Sequence, residues 1–368
     1  MTFIADVGAS IGPIIVVFVA ATLISLSITP LVRRLVLRHD VVDHPAARRI
    51  NTKPVARGGG LAIAAAFLLV GAAFVGLNEG SAWVPRPANL SDADLVALFL
   101  GGAAAAGLGA IDDLFDLRAR WQLAGQLALA FGAVALGIGV TVIANPFGAG
   151  SIRFSEVFSV AFTVFWIVGM INSINWIDGL DGLSSGIALI ASVTLGLISL
   201  TREINQPMIA VLCFALAGSL LGFLRWNFHP ATVFAGTSGV QFVGFTLAVL
   251  SILGSAKVAV ALLVLGVPII DTFWIIVRRL SQGRSPFTPD RSHIHHRLLD
   301  LGLSHRNTVL VIYAICVALA VIAMLLSSYQ LYAFLGIFVV SGLILFAPTR
   351  GAFRRPEELE AESYEDDH

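Results

Sequence analysis

Five short polar segments stand out against an otherwise apolar chain, and their residue types suggest phosphate and metal chemistry. Ile111-Asp112-Asp113-Leu114-Phe115-Asp116 sets two acids side by side and a third just beyond, at the end of an apolar run. Adjacent carboxylates repel, and near a bilayer they are costly unless a cation neutralises them. Mg²⁺ or Mn²⁺ is the expected partner, being hard, oxygen-liganded and able to bridge to phosphate; the plain alternative is a solvated helix end. In the second segment Asn172, Asn175 and Asp178 recur every three residues and share one helical face, until Gly179, Asp181 and Gly182 break the regularity. Such a row of amides and carboxylates at a membrane border suits a nucleotide and a metal-bound diphosphate.

The third segment is a loop with Asp43, His44, Pro45, Arg48, Arg49, Asn51, Lys53, Pro54 and Arg57, followed by Gly58-Gly59-Gly60. Cations beside a glycine-rich helix N-terminus form a phosphate site through backbone N–H groups and the helix dipole. Plain topology signalling by basic residues is the competing reading. The fourth runs from Asp271 to Arg306 and contains Asp290, Arg291, His293, His295, His296 and Arg297. Three His within four residues could ligate zinc, but no Cys accompanies them and the flanking arginines repel a dication. Binding of anionic phosphates by His and Arg fits better. The fifth, weaker segment links Asn227 and His229 to Phe234-Ala235-Gly236-Thr237-Ser238-Gly239, where glycines suit close approach of backbone to ligand.

The elements that must position these residues are membrane helices. The chain has 368 residues, 57% hydrophobic and 12% charged, with a mean hydropathy of +0.88. Soluble domains carry about 25% charged residues, so too little polar surface is left for a soluble globule. The formal charge is zero, which gives no basic excess for nucleic acid. Cys213 and Cys316 sit in apolar runs and read as core residues. Residues 1–10 lack Lys and Arg, so the first apolar run reads as a spanning helix rather than a cleavable signal.

Runs long enough to cross a bilayer lie near 11–29, 58–78, 95–111, 122–143, 155–171, 183–200, 207–224, 239–254, 257–277, 307–327 and 330–347. The expected fold is therefore an all-α polytopic membrane protein with about eleven spans. An outside N-terminus and cytoplasmic C-terminus put 19 of the 23 Lys and Arg residues inside, with Arg86, Arg153, Arg202 and Lys257 outside. All eight His and the acids named above then fall on the cytoplasmic side. Residues 1–348 form one transmembrane domain, and 349–368, basic then acidic, form a disordered cytoplasmic tail.

Together these segments resemble the polyprenyl-phosphate N-acetylhexosamine-1-phosphate transferases, glycosyltransferase family 4, the group containing MraY, WecA and TagO. Asp112-Asp113 matches the family's aspartate pair, and Asn172 to Leu183 matches its NxxNxxDGLDGL signature. His293-Ile294-His295-His296-Arg297-Leu298-Leu299 resembles the WecA and TagO branch, which implies a UDP-N-acetylglucosamine-type donor. The resemblance implies transfer of a sugar 1-phosphate from a UDP-N-acetylhexosamine to polyprenyl phosphate in the plasma or inner membrane. It implies Mg²⁺ (or Mn²⁺) on Asp112, Asp113, Asn175 and Asp178, with Asp181 also catalytic. Lys53, Arg57, Asn172, Asn227, Asp271, His293, His295, His296 and Arg297 would bind substrate; a homodimer stays open. The family motif FxGDxG carries a metal-ligand aspartate, but here Thr237 stands at that place. Activity is expected to persist because the other motifs are intact; a non-catalytic relative and a lipid-phosphate transporter are the alternatives.

Overall fold

A computed structural model describes residues 8–43, 54–145, 150–201, 204–254, 258–283, 293–326 and 335–339. Twelve helices carry the fold: α1 (Gly8–Arg38), α2 (Gly60–Ser81), α3 (Asp92–Phe115), α4 (Ala119–Ala135), α5 (Glu156–Ile177), α6 (Leu183–Ser199), α7 (Pro207–Asn227), α8 (Gly236–Leu253), α9 (Val258–Val264), α10 (Gly266–Ser281), α11 (Ile294–Asp300) and α12 (His305–Leu325). Two small antiparallel ribbons pair Val42–Asp43 with Val55–Ala56 and Val142–Ala144 with Ser151–Arg153.

Local chemistry sets several helix ends. At α3, Ser91 Oγ accepts from the Asp94 N–H at 3.1 Å and Asp94 Oδ2 from the Ser91 N–H at 2.8 Å. This reciprocal box satisfies donors that a helix start leaves orphaned. Ser155 and Ser304 cap α5 and α12, and Pro207 opens α7.

Among the described residues, α1, α2, α3, α5, α7, α8 and α12 are long and apolar enough to cross a membrane, and α9 with α10 brings the number to eight. α6 is a shorter apolar helix of 17 residues. Two elements differ from the sequence expectation. The run at 122–143 stays helical only to Ala135, because Gly137 turns the chain at φ +104 and 142–144 becomes a strand. The run at 257–277 is broken, with α9 and α10 meeting at 79°. Pro268 lacks the N–H that would bond the carbonyl four residues back, and Gly266 is a weak helix former, so the break falls there. The run at 330–347 and the tail lie largely outside the described residues.

Buried α8 is the hub, packed by α2, α3, α5, α6, α7 and α9. Glycine lets the backbones meet. A Cβ on Gly60 would collide with Gly239, one on Gly109 with the Ser238 backbone, and one on Gly244 would lie 2.6 Å from Ile171 Cα. Gly218 and Gly222 likewise admit the carbonyls of Phe18 and Thr22, which seats α1 on α7. The loop before α2 runs beside the loop before α8: the Gly59 and Gly60 N–H groups donate to the carbonyls of Phe234 and Ala235 at 2.9 and 2.8 Å. These amides are therefore occupied by protein, and the glycine triplet is a packing device rather than the phosphate cradle its sequence suggests.

Gly60→Ala is expected to lose about 1–3 kcal/mol through overpacking, read as a lower melting temperature in detergent. Gly76→Ala, in the same helix with open space around its Cβ, should be neutral or gain about 0.5–1 kcal/mol. Equal losses in both variants would contradict this contact.

Candidate active site

The site begins where the C-terminal end of α3 meets the N-terminal end of α8. Gly236 adopts φ +70, and a Cβ there would lie 2.7 Å from Asp113 Oδ2. Because that space is empty, Asp113 reaches the start of α8: its Oδ1 accepts the Thr237 N–H at 2.7 Å and its Oδ2 the Ser238 N–H at 3.0 Å. A carboxylate at the positive end of a helix satisfies orphan donors and the dipole together. Arg57 then fans across the acids. Its Nε lies 2.9 Å from Asp113 Oδ1, Nη2 3.6 Å from Asp112 Oδ2 and Nη1 3.8 Å from Asp116 Oδ1. The same Nη2 donates to Thr237 Oγ1 at 2.9 Å. Asp112, 1% exposed, also accepts from the Leu117 N–H at 2.9 Å and Gln122 Nε2 at 2.7 Å.

Beside this lock lies a cavity of about 420 Å³ whose lining includes Asp43, Arg57, Asp116, Asn175, Asp178, Asp181, Asn227, Thr237, His296 and His305. Its walls come from the loops before α2, α6 and α8, the end of α3, α11 and the start of α12. Among its described lining residues four are carboxylates, and Arg57 is the single arginine or lysine. Carboxylate, amide and hydroxyl oxygens converge here, the hard donor set that suits Mg²⁺. Asp178 caps the end of α5 and accepts a hydrogen bond from the Ser184 hydroxyl. Burial pushes its carboxyl up to about 6, against the opposing pull of Ser184 and Arg57. Asp181 Oδ2 accepts the Ala231 N–H at 3.0 Å and lies 2.8 Å from His229 Nδ1. Asn227 ties α7 to its surroundings: its Oδ1 accepts from Ser185 Oγ at 2.9 Å and its Nδ2 donates to the Val233 carbonyl at 3.0 Å.

Of the residues that the sequence singles out, Arg57, Asn175, Asp178, Asp181, Asn227, Thr237 and His296 line this one cavity. Asp112 and Asp113 stand directly behind Arg57. Asn172 faces elsewhere: its Nδ2 donates to Gln126 Oε1 on α4 at 2.7 Å and to its own helix at 2.8 Å. Three residues per step fall short of a 3.6-residue turn, so the row Asn172, Asn175, Asp178 rotates around the helix. Asp271 anchors the histidine segment instead of facing the cavity, with His293 Nδ1 at 2.8 Å and the Ile294 N–H at 3.0 Å. His295 is 1% exposed and packs on Gly179, where a Cβ would lie 2.8 Å from its Cε1. Burial, followed by the neighbouring histidines, lowers His295 to about 3, so it is neutral at physiological pH and offers no charge to a phosphate. Arg297 is half-buried outside the cavity lining, and Lys53 lies outside the described residues.

Sequence reasoning passed over Ser184, His305 and the α4 amides Gln122 and Gln126, and it named His229 without giving it a role. The two glutamines offered a signal, since amides four residues apart on a mostly apolar helix must face partners on neighbouring elements.

A family profile described as Glycosyl transferase family 4 matches residues 95–255. The chain is 36% identical over 339 residues to a Bacillus subtilis (strain 168) protein named probable undecaprenyl-phosphate N-acetylglucosaminyl 1-phosphate transferase, covering 90% of each. It is 32% identical over 335 residues to a Mycobacterium leprae (strain TN) protein named decaprenyl-phosphate N-acetylglucosaminephosphotransferase, covering 83% of this chain and 82% of that one. A Thermotoga maritima protein named undecaprenyl-phosphate alpha-N-acetylglucosaminyl 1-phosphate transferase is 32% identical over 239 residues, covering 65% of this chain and 72% of that one.

The raised Asp178 value means that the folded state holds this proton more tightly than the unfolded chain. Stability is therefore lost as pH rises through about 6. Asp178→Asn removes the buried charge. In metal-free detergent solution at pH 7.5 it should be more stable than wild type by about 1–2 kcal/mol, the full shift being reduced by water in the cavity. The difference should shrink as pH falls below about 6 and be gone only below 3.8, the value for the unfolded chain; equal melting temperatures at pH 7.5 would contradict the assignment.

Proposed function

The chain belongs to glycosyl transferase family 4, and from that premise we propose that it transfers N-acetylglucosamine 1-phosphate, or a related sugar 1-phosphate, from a UDP-sugar to a polyprenyl phosphate, releasing UMP. The charge imbalance of the cavity carries this reading at the site. Among the described residues, Asp116, Asp178 and Asp181 face one guanidinium in a space that must admit two phosphorylated substrates. Anionic ligands enter such a space only with a divalent cation, and the oxygen donors present suit one. In this reading Asp116, Asn175, Asp178 and Thr237 would hold Mg²⁺, which would supply positive charge against the phosphate oxygens.

An oxygen of the lipid phosphate attacks the phosphorus that bears the sugar, and the phosphorus–oxygen bond to UMP breaks with its electron pair leaving on UMP. The product is a lipid diphosphate sugar. The chain's own contribution is placement and charge. Arg57, fixed by Asp112 and Asp113, presents a guanidinium face to the phosphates. His296 and His305 offer ring nitrogens at the cavity wall. Thr237 gives a neutral oxygen where a third acid of this donor set would sit, so metal affinity is weaker but the donor set is kept. Leu114 and Phe115, exposed at 54% and 73% beside Asp116, give the prenyl chain an apolar approach. The bias of Lys and Arg supports a cytoplasmic cavity in the cell membrane, an outside N-terminus and eleven crossings.

Purified chain given UDP-N-acetylglucosamine, polyprenyl phosphate and Mg²⁺ should release UMP, and chelation should stop it. Asp178→Asn should lower turnover by about 10²–10³-fold, as loss of one charge-stabilising group does, while melting no lower than wild type. UMP release by Thr237→Asp but not by wild type would sink the enzyme reading for the natural chain.

A further inference from the structure

We propose that Asp181, His229 and His305 form a second cation seat, for a borderline transition metal such as Zn²⁺ or Co²⁺. The inference stands on geometry and does not rest on the transferase reading. One carboxylate oxygen and one nitrogen from each imidazole lie within 4.8 Å of one another. Asp181 Oδ2 is 2.8 Å from His229 Nδ1, and the Asp181 N–H donates to His305 Nε2 at 2.9 Å. The two rings stack with centroids 4.3 Å apart and planes at 22°.

Three separate elements deliver these ligands, and each is held. Asp181 lies between α5 and α6, where the Ala231 N–H fixes its carboxylate and the Tyr313 hydroxyl bonds the Gly182 carbonyl. His229 follows α7, and His305 is the first residue of α12, whose start is capped by Ser304. The seat is open to solvent, with the His229 side chain 40% exposed.

Donor chemistry separates this seat from the oxygen-rich part of the cavity. Two imidazoles and one carboxylate select Zn²⁺, Co²⁺ or Ni²⁺, while carboxylate, amide and hydroxyl oxygens select Mg²⁺. Without metal, the lone pairs that would bind it are used in hydrogen bonds. Metal entry therefore releases the Nδ1 proton of His229 if that nitrogen carries it, and exchanges the Asp181 N–H···N bond for a nitrogen–metal bond. Asp181 and His305 also line the cavity, so occupancy of the seat alters the cavity's charge.

The test titrates Co²⁺ into chelator-stripped full-length protein in detergent, with excess Mg²⁺ to fill oxygen sites. One equivalent should bind with the strong visible absorption of a low-coordinate nitrogen-containing site and be displaced by Zn²⁺. His229→Ala and His305→Ala should each weaken binding by roughly ten-fold or more, while His296→Ala keeps it. In wild type, Zn²⁺ should protect His229 and His305, but not exposed His39, from diethyl pyrocarbonate, which gives a readout independent of any variant's folding. Absence of the absorption in wild type, or no protection of the two histidines, overturns the proposal and leaves a hydrogen-bonded cluster.

Discussion

The structure turns on one carboxylate. Asp113 sits at the end of a membrane helix, 3% exposed in its side chain, and a charge there is tolerable only if its surroundings neutralise it. Two N–H groups at the start of α8 and the Arg57 guanidinium do so. The price of this arrangement is steric: Gly60, Gly109, Gly236 and Gly239 must all lack side chains for the three backbones to come so close. Charge and packing thus constrain each other. Removing the carboxylate deprives the Arg57 Nε and two α8 N–H groups of their shared acceptor, and adding a methyl group at Gly236 pushes the carboxylate away from them.

Everything chemically capable is arranged around that lock. Arg57 faces the cavity because its other contacts hold it from behind, and Thr237 is fixed by both its N–H and its hydroxyl. The oxygen-rich wall made by Asp116, Asn175 and Asp178 is left with more negative charge than one guanidinium balances. Burial first, with smaller help from Asp113 and Asp181, raises the affinity of Asp178 for a proton. Such a site suits the cation and phosphate chemistry proposed for it.

Much of this was legible in the sequence because the driving forces are local. Apolar runs set the helices, and acids and amides at their ends marked the cavity, where Asn175, Asp178, Asp181 and Thr237 do converge. What failed depended on partners distant in sequence. The glycine triplet looked like a phosphate cradle, but its amides bond carbonyls near residue 235. His295 looked like a cation, yet burial against Gly179 keeps it neutral. Asn172 shares a spacing with Asn175 and Asp178, but Gln126 on α4 claims it. The bend between α9 and α10 was signalled by Gly266 and Pro268, and hydropathy averaging hid it.

The most direct test of the lock is a double-mutant cycle on thermal stability with Arg57→Gln, Asp113→Asn and the double variant in detergent. Direct contact at 2.9 Å should give a coupling of about 1–3 kcal/mol, with the double variant less damaged than the two single losses added together. Strict additivity would contradict it, since Arg57 and Asp113 would then be neighbours with no energetic tie between α2, α3 and α8.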